Sequence, residues 1–160
     1  MSDSQHPDRF PVRKNPRLRN YDYSTPNYYF ITICTHQKKC IFGKPGKLNT
    51  LGIIAQKAFL EIETHFPGVY ADKFVVMPNH VHGIIVLQTS NTPLSTILGL
   101  YKSSVTKKIR TLQPNITVWQ ISFHDHVIRD PYSYQRIWSY IDTNPVRWEN
   151  DCFYTPQPGP

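Results

Sequence analysis

The stretch that most constrains the fold is residues 74–87, FVVMPNHVHGIIVL. Two apolar, β-branched runs are separated only by Pro78-Asn79, so they read as strands joined by a tight turn. Pro78 presets φ for a turn position, and Asn79 tolerates the left-handed backbone that tight turns often need. A hairpin commits the chain to an antiparallel sheet, and the rest of the sequence must supply the layers that cover it. Side chains alternate along a strand, so His80 and His82 share one face. Two imidazoles one repeat apart can chelate a metal ion. They can equally be polar residues on the solvated face of a half-buried strand, and the spacing alone leaves both readings open.

Residues 27–34 (NYYFITIC) are aromatic and β-branched and read as a strand. Residues 35–47, with Gly43, Pro45 and Gly46, read as a loop. Asn49 or Thr50 then caps a helix whose apolar positions are Leu51, Ile54, Ala55, Ala58, Phe59, Ile62 and Phe66, closed by Pro67-Gly68. After the hairpin, Thr92-Pro93 reads as a cap with proline at the first helical position. The buried stripe of that helix is Leu94, Ile97, Leu98, Tyr101 and Val105. Residues 117–128 (TVWQISFHDHVI) read as a fourth strand. Asp130-Pro131 opens a last helix with apolar Tyr134, Ile137, Trp138 and Ile141, and Asn144-Pro145 ends it.

Strand, helix, strand, strand, helix, strand is the order of a split βαβ unit. The expected fold class is α+β, a ferredoxin-like sandwich with an antiparallel four-stranded sheet and two helices on one face. The extra C-terminal helix is available to the other face. The expected organisation is a basic, Pro-rich arm over residues 1–26, one catalytic domain over residues 27–146, and a polar tail over residues 147–160.

Charge narrows the partner class. The chain has a net charge of +7 and a pI near 9.4, a balance suited to a polyanion. No Asp or Glu falls between Asp72 and Asp125, a span that holds Lys73, Lys102, Lys107, Lys108 and Arg110. A second acid-free run near the N-terminus holds Arg9, Arg13, Lys14, Arg17 and Arg19. These cations are candidate phosphate contacts, with the arm as a clasp on a nucleic-acid backbone. No apolar run reaches the ~20 residues that span a bilayer, and the polar N-terminus does not read as a signal peptide. Cys34, Cys40 and Cys152 are odd in number and lack a zinc-ligand spacing, which fits a reduced cytoplasm and no membrane partner.

Three segments carry a family resemblance: Val75 to Ile84, Val118 to Arg129 with its His124-Asp125-His126, and Tyr140-Ile141-Asp142-Thr143-Asn144-Pro145-Val146. In this order and spacing they resemble the Y1 (IS200-like) HUH transposases, closest to the REP-associated tyrosine transposase branch. Tyr21-Asp22-Tyr23 and Tyr29 to Thr35 resemble the same branch, and the similarity runs roughly from Arg17 to Asp151. The resemblance implies nicking and rejoining of hairpin-forming single-stranded DNA, such as a REP-like palindrome. It implies Tyr140 as the nucleophile, giving a 5′-phosphotyrosine, and His80 and His82 as ligands of a divalent metal, Mg²⁺ or Mn²⁺. Asn144 takes the place of the polar residue that completes the metal shell in relatives, a glutamine in insertion-sequence enzymes. The branch suggests a monomer, its insertion-sequence relatives a homodimer.

The residues suit that chemistry. A tyrosine hydroxyl has a pKa of ~10 and is a poor nucleophile at neutral pH unless its surroundings lower the barrier. Imidazoles alone suit zinc, whereas an amide with phosphate oxygens suits Mg²⁺ or Mn²⁺. No phosphate-binding GxxxxGK[ST] loop occurs in the sequence, consistent with resealing without ATP. Asp125 and His126 are candidates for a supporting shell around the metal ligands, while His124 with His126 also allows a second metal pair or a plain surface. Two rival activities stay open: a non-catalytic hairpin-binding regulator of the same fold, and a histidine-metal phosphohydrolase that uses water.

Overall fold

A computed structural model describes residues 21–156. The main sheet has four antiparallel strands: β1 (Asn27–Cys34), β4 (Val69–Met77), β5 (His80–Leu87) and β6 (His124–Ile128). Their spatial order is β4-β5-β1-β6, the arrangement expected of a split βαβ sandwich. A short hairpin, β2 (Gly43–Lys44) and β3 (Lys47–Leu48), leads into α1 (Thr50–Leu60) and α2 (Ile62–His65). The other helices are α3 (Leu94–Arg110) and α4 (Pro131–Thr143). No helix among the described residues is long and apolar enough to cross a membrane.

The sheet separates two apolar layers by strand alternation. Tyr29, Ile31, Ile33, Val81, Ile85 and Leu87 point to the layer filled by α1 and α3, where Phe59, Ile97, Leu98, Tyr101 and Val105 are buried. Gly83 faces this layer too, and a Cβ there would lie 2.5 Å from Phe59 Cζ. The missing side chain is what lets Phe59 sit on the sheet. Phe30, Ile84, Val86 and Ile128 point the other way and are covered by Ile137 and Ile141 of α4. Full burial of such side chains contributes roughly 1.5–3 kcal/mol each, so α4 is fastened to the sheet by its own apolar stripe.

Capping follows the sequence closely at two helices. Asn49 caps α1 by accepting from the Gly52 amide at 2.9 Å. Asp130 caps α4 by accepting from the Ser133 amide at 2.8 Å, with Pro131 opening the helix. Elsewhere the structure corrects expectation. Pro93 is itself the residue before α3, with extended backbone, so no side chain caps that helix. The helical stretch after Asn49 breaks at Glu61 into α1 and α2. The expected loop over residues 35–47 holds a 3₁₀ turn and the β2–β3 hairpin.

The fourth strand is shorter than its β-rich sequence suggests. Only residues 124–128 pair with β1, and Trp119 forms a single bridge to Thr35. Gln120 N still donates to the Cys34 carbonyl at 3.0 Å, but Lys102 Nζ of α3 takes the carbonyls of Gln120 and Ile121 at 2.7 and 3.2 Å, and the ladder is not continuous there. Trp138 also departs from expectation: it is 38% exposed, with Lys73 Nζ 4.0 Å from its ring centre. Tyr21 and Tyr23, at the end of the expected arm, pack edge to face against each other and near Tyr29.

Candidate metal and tyrosine site

The β4–β5 turn builds one wall of the site. Its two central residues are Pro78 and Asn79, because Met77 pairs directly with His80. Asn79 does not take the expected left-handed backbone; the non-glycine residues with positive φ among those described are Gln37 and Lys38. Its side chain explains its presence better. The Asn79 amide nitrogen donates to the Phe153 carbonyl at 2.7 Å and to Lys38 O at 3.3 Å. Its carbonyl oxygen therefore faces His80 Nδ1, 2.7 Å away.

That contact sets the tautomer of His80. An amide oxygen only accepts, so His80 Nδ1 carries the proton and Nε2 is left with a lone pair. His80 Nε2 is buried and has no hydrogen-bond partner. His82 is oriented similarly: its Nδ1 lies 2.7 Å from Thr32 Oγ1, on the neighbouring strand. A hydroxyl both donates and accepts, so Thr32 orients this ring without fixing its tautomer; in the Nδ1–H form, His82 Nε2 carries the lone pair. Both histidines are almost wholly buried, at 0% and 1% exposure. The solvated-strand reading of His-x-His is thereby corrected, because α4 and the C-terminal segment cover this face of the sheet.

The opposite wall comes from the C-terminal side. Ile137 and Ile141 seat α4, and Tyr140, on the turn between them, places its Oη 3.4 Å from His82 Nε2. Just beyond α4, Asn144 is buried, and its amide nitrogen donates to Asp151 Oδ2 at 2.7 Å. Asn144 Oδ1 is buried without a hydrogen-bond partner. The Phe153 amide holds Asp151 Oδ1 at 2.8 Å, and Asp151 Oδ2 lies 3.8 Å from His80 Nε2. One ligand atom each from His80, His82 and Asp151 fall within 4.8 Å of one another.

Electrostatics agree with a cation site. Burial pushes His80 down to about 4 although the Asp151 carboxylate pulls the other way. Burial also holds His82 well below its ordinary value, and its neighbours His80 and His124 lower it further. Both imidazoles are thus neutral ligands near neutral pH. The Tyr140 hydroxyl is raised above its ordinary value by burial and by the Asp151 charge. A buried carboxylate, two buried lone-pair nitrogens and an orphaned amide oxygen fit a divalent cation.

His80, His82, Tyr140 and Asn144 are therefore brought together in one pocket. His124 and His126 lie on the same sheet face, paired with Thr32 and Phe30. Asp125 pairs with Ile31 and points to the opposite face, the side of α1 and α3. Of the expected phosphate contacts, Lys108 is bridged to Glu61 at 3.0 Å and Arg110 Nε donates to the Ile116 carbonyl. Lys102, Lys107 and Arg110 line a shallow depression of about 500 Å³ beside Trp119. Arg13, Lys14, Arg17 and Arg19 lie outside the described residues.

Sequence reasoning missed Asp151, Thr32 and the structural part of Asn79. Thr32 was accessible in principle, since pairing β1 with β5 places it opposite His82. Asp151 had no periodic signal, because a turn and a 3₁₀ segment (Trp148–Asn150) separate it from α4.

Comparison with known proteins agrees with this architecture. No family model matches the chain. An uncharacterized protein of Haemophilus influenzae is 36% identical over 167 aligned positions, covering 89% of this chain and 93% of that protein. Among solved structures, a REP-associated tyrosine transposase bound to a REP hairpin superposes with a TM-score of 0.62 at 22% identity. That match covers 82% of this chain and 73% of the other. A Deinococcus radiodurans R1 protein with a provisional transposase assignment gives a TM-score of 0.54 at 15% identity, covering 79% and 95%. The chain belongs to one family with the Haemophilus protein, and its fold is that of the Y1 transposase-like proteins.

Proposed function

We propose that this chain is a metal-dependent Y1 tyrosine transposase that nicks and rejoins hairpin-forming single-stranded DNA. The observation that carries the reading is the placement of the Tyr140 hydroxyl 3.4 Å from His82 Nε2, at the mouth of the His80–His82–Asp151 cluster. The fold relative bound to a REP hairpin supports a folded single strand as the substrate class.

His80 and His82 would hold the cation through Nε2, with Asp151 and the Asn144 carbonyl oxygen as the oxygen side of the shell. A divalent cation held there would stabilise negative charge on a non-bridging phosphate oxygen and help orient the scissile phosphate. Asn79 keeps His80 in the tautomer that ligates through Nε2, and Thr32 orients the His82 ring. Tyr140 is held by α4 with its oxygen beside that position, so attack needs no large rearrangement of the helix. In the nicking step the Tyr140 oxygen bonds to phosphorus and the bond from phosphorus to the 3′ oxygen breaks. The phenolic proton is released, and the departing 3′ oxygen takes up a proton as a hydroxyl. Rejoining is the reverse: a 3′ hydroxyl attacks the phosphotyrosine and frees Tyr140. The number of phosphate ester bonds is conserved, so neither step consumes ATP.

Lys102, Lys107, Lys108 and Arg110, with the N-terminal cations Arg13, Lys14, Arg17 and Arg19, are the proposed phosphate contacts. On α3, Lys102 and Arg110 donate to backbone carbonyls and Lys108 is bridged to Glu61, so Lys107 carries most of this role there. The test is incubation with a panel of genomic palindromes as single strands, with Mg²⁺ or Mn²⁺. Site-specific cleavage of a hairpin is expected. Cleavage that ignores hairpin structure, or equal activity in excess EDTA, contradicts the reading.

A further inference from the structure

The outer face of α4 carries a feature that the metal cluster does not use. Tyr132, Arg136, Ser139, Tyr140 and Thr143, with Arg147 beyond the helix end, line one groove of about 270 Å³. Their spacing of three and four residues puts the helical members on one stripe. No carboxylate lines the groove. Of the acids nearest in sequence, Asp142 holds Lys73 at 2.7 Å and Asp130 caps the helix, while Glu149 lies two residues beyond Arg147. Tyr132 is 69% exposed, and the Arg136 guanidinium lies 5.7 Å from its ring centre.

We infer that this groove binds the unpaired nucleotides flanking the scissile phosphate, with a base stacked on Tyr132 and phosphates on Arg136 and Arg147. The inference rests on the single-strand transposase reading above and names where that strand runs. The groove reaches the nucleophile itself, since Tyr140 is one of its walls. Tyr132 and Tyr140 are eight positions apart, about 12 Å along the helix, so the stacked base is close to the cut. A cavity of about 150 Å³ accommodates benzene, so this one has room for a nucleobase. Exposed aromatics with interleaved arginines are how proteins hold single strands without reading sequence. The groove is therefore a positioning subsite, and discrimination of the hairpin lies elsewhere.

The test uses the full chain, a blunt hairpin, and the same hairpin with a single-strand extension on its 5′ or 3′ side, one copy carrying 2-aminopurine in the extension. Anisotropy measures affinity across a salt series for wild type, the Arg136→Ala/Arg147→Ala double variant, Tyr132→Ala and Tyr132→Trp. Wild type should bind an extended hairpin tighter than the blunt one. The double variant should lose that gain, about tenfold, with a salt slope shallower by about 1.4 and unchanged affinity for the blunt hairpin. Tyr132→Ala should abolish the 2-aminopurine quench and Tyr132→Trp should keep it, with stacking worth about tenfold in affinity. These side chains are exposed, so melting temperatures should match wild type and exclude misfolding. Equal losses on blunt and extended hairpins, or no loss on either, would overturn the groove. Wild type that binds neither hairpin overturns the transposase reading as well, whereas wild-type binding with unaffected variants overturns the groove alone.

Discussion

Asn79 Oδ1 accepts from His80 Nδ1 at 2.7 Å, while the amide of the same side chain donates to the backbone of the C-terminal segment at Phe153. One residue thus ties the histidine tautomer to the segment that delivers Asp151. Asn79→Ala should leave His80 free to protonate either nitrogen and should loosen that segment. Metal affinity is expected to fall 10- to 100-fold, read by calorimetric titration with Mn²⁺. Unchanged affinity would show that Asn79 matters only for the turn.

Asp151 is the one carboxylate in the cluster. Asp151→Asn keeps the shape and the contact with the Phe153 amide but removes the charge. Weaker Mn²⁺ binding and loss of cleavage are expected. The Tyr140 hydroxyl should also titrate at lower pH in metal-free Asp151→Asn, since Asp151 raises it. Ultraviolet difference titration against a Tyr140→Phe background isolates that band, and an unmoved band would contradict the electrostatic assignment.

His80 and His82 are buried, so replacing them is not neutral. Each Ala variant removes a packed ring and orphans Asn79 or Thr32. A stability loss on the order of 1–3 kcal/mol is expected beside loss of metal binding. His82→Gln is the milder variant. Chemical denaturation of each variant gives the comparison, and a loss confined to activity would place these rings at the surface.

Acid should destabilise the metal-free protein through His80. Its folded value of about 4 lies below the ordinary 6.5, so the unfolded chain binds more protons between those values. Stability is therefore full above about pH 6.5 and falls as pH drops toward 4, by about 3 kcal/mol at most. His80→Gln should flatten that dependence. A His80→Gln variant with the same acid slope as wild type would assign the slope to other groups.

The sheet and its helices were legible because their signals are local. The Pro78-Asn79 turn, the Asn49 and Asp130 caps and the stripes of α1, α3 and α4 each declare themselves within a dozen residues. The His80–His82 pair and Tyr140 became a site through family resemblance, and the fold then brought them together. What stayed hidden depends on long-range pairing. Residues 117–123 have strand chemistry, yet the carbonyls of Gln120 and Ile121 bond to Lys102 of α3 instead of continuing the ladder. Asp151 lies in a Pro-rich tail that looks unstructured, and its burial depends on contacts to Asn144 and the Phe153 backbone. Asn79 looked like a turn former, but its side chain bridges two segments more than seventy residues apart.

The central claim is that Tyr140 is the nucleophile. Tyr140→Phe keeps the ring that packs edge to face on Phe30, and it leaves His80, His82, Asp151 and the basic surface in place. The direct measurement is denaturing gel electrophoresis of wild type and Tyr140→Phe with Mn²⁺ and a hairpin labelled on the 3′ side of the cut. Wild type should carry the labelled fragment as a covalent adduct, and Tyr140→Phe should bind within a few-fold yet form none. Cleavage by Tyr140→Phe would move the role to another tyrosine, Tyr134 or Tyr101 first, or to water. Cleavage by wild type without any adduct would contradict the account and leave a hydrolase.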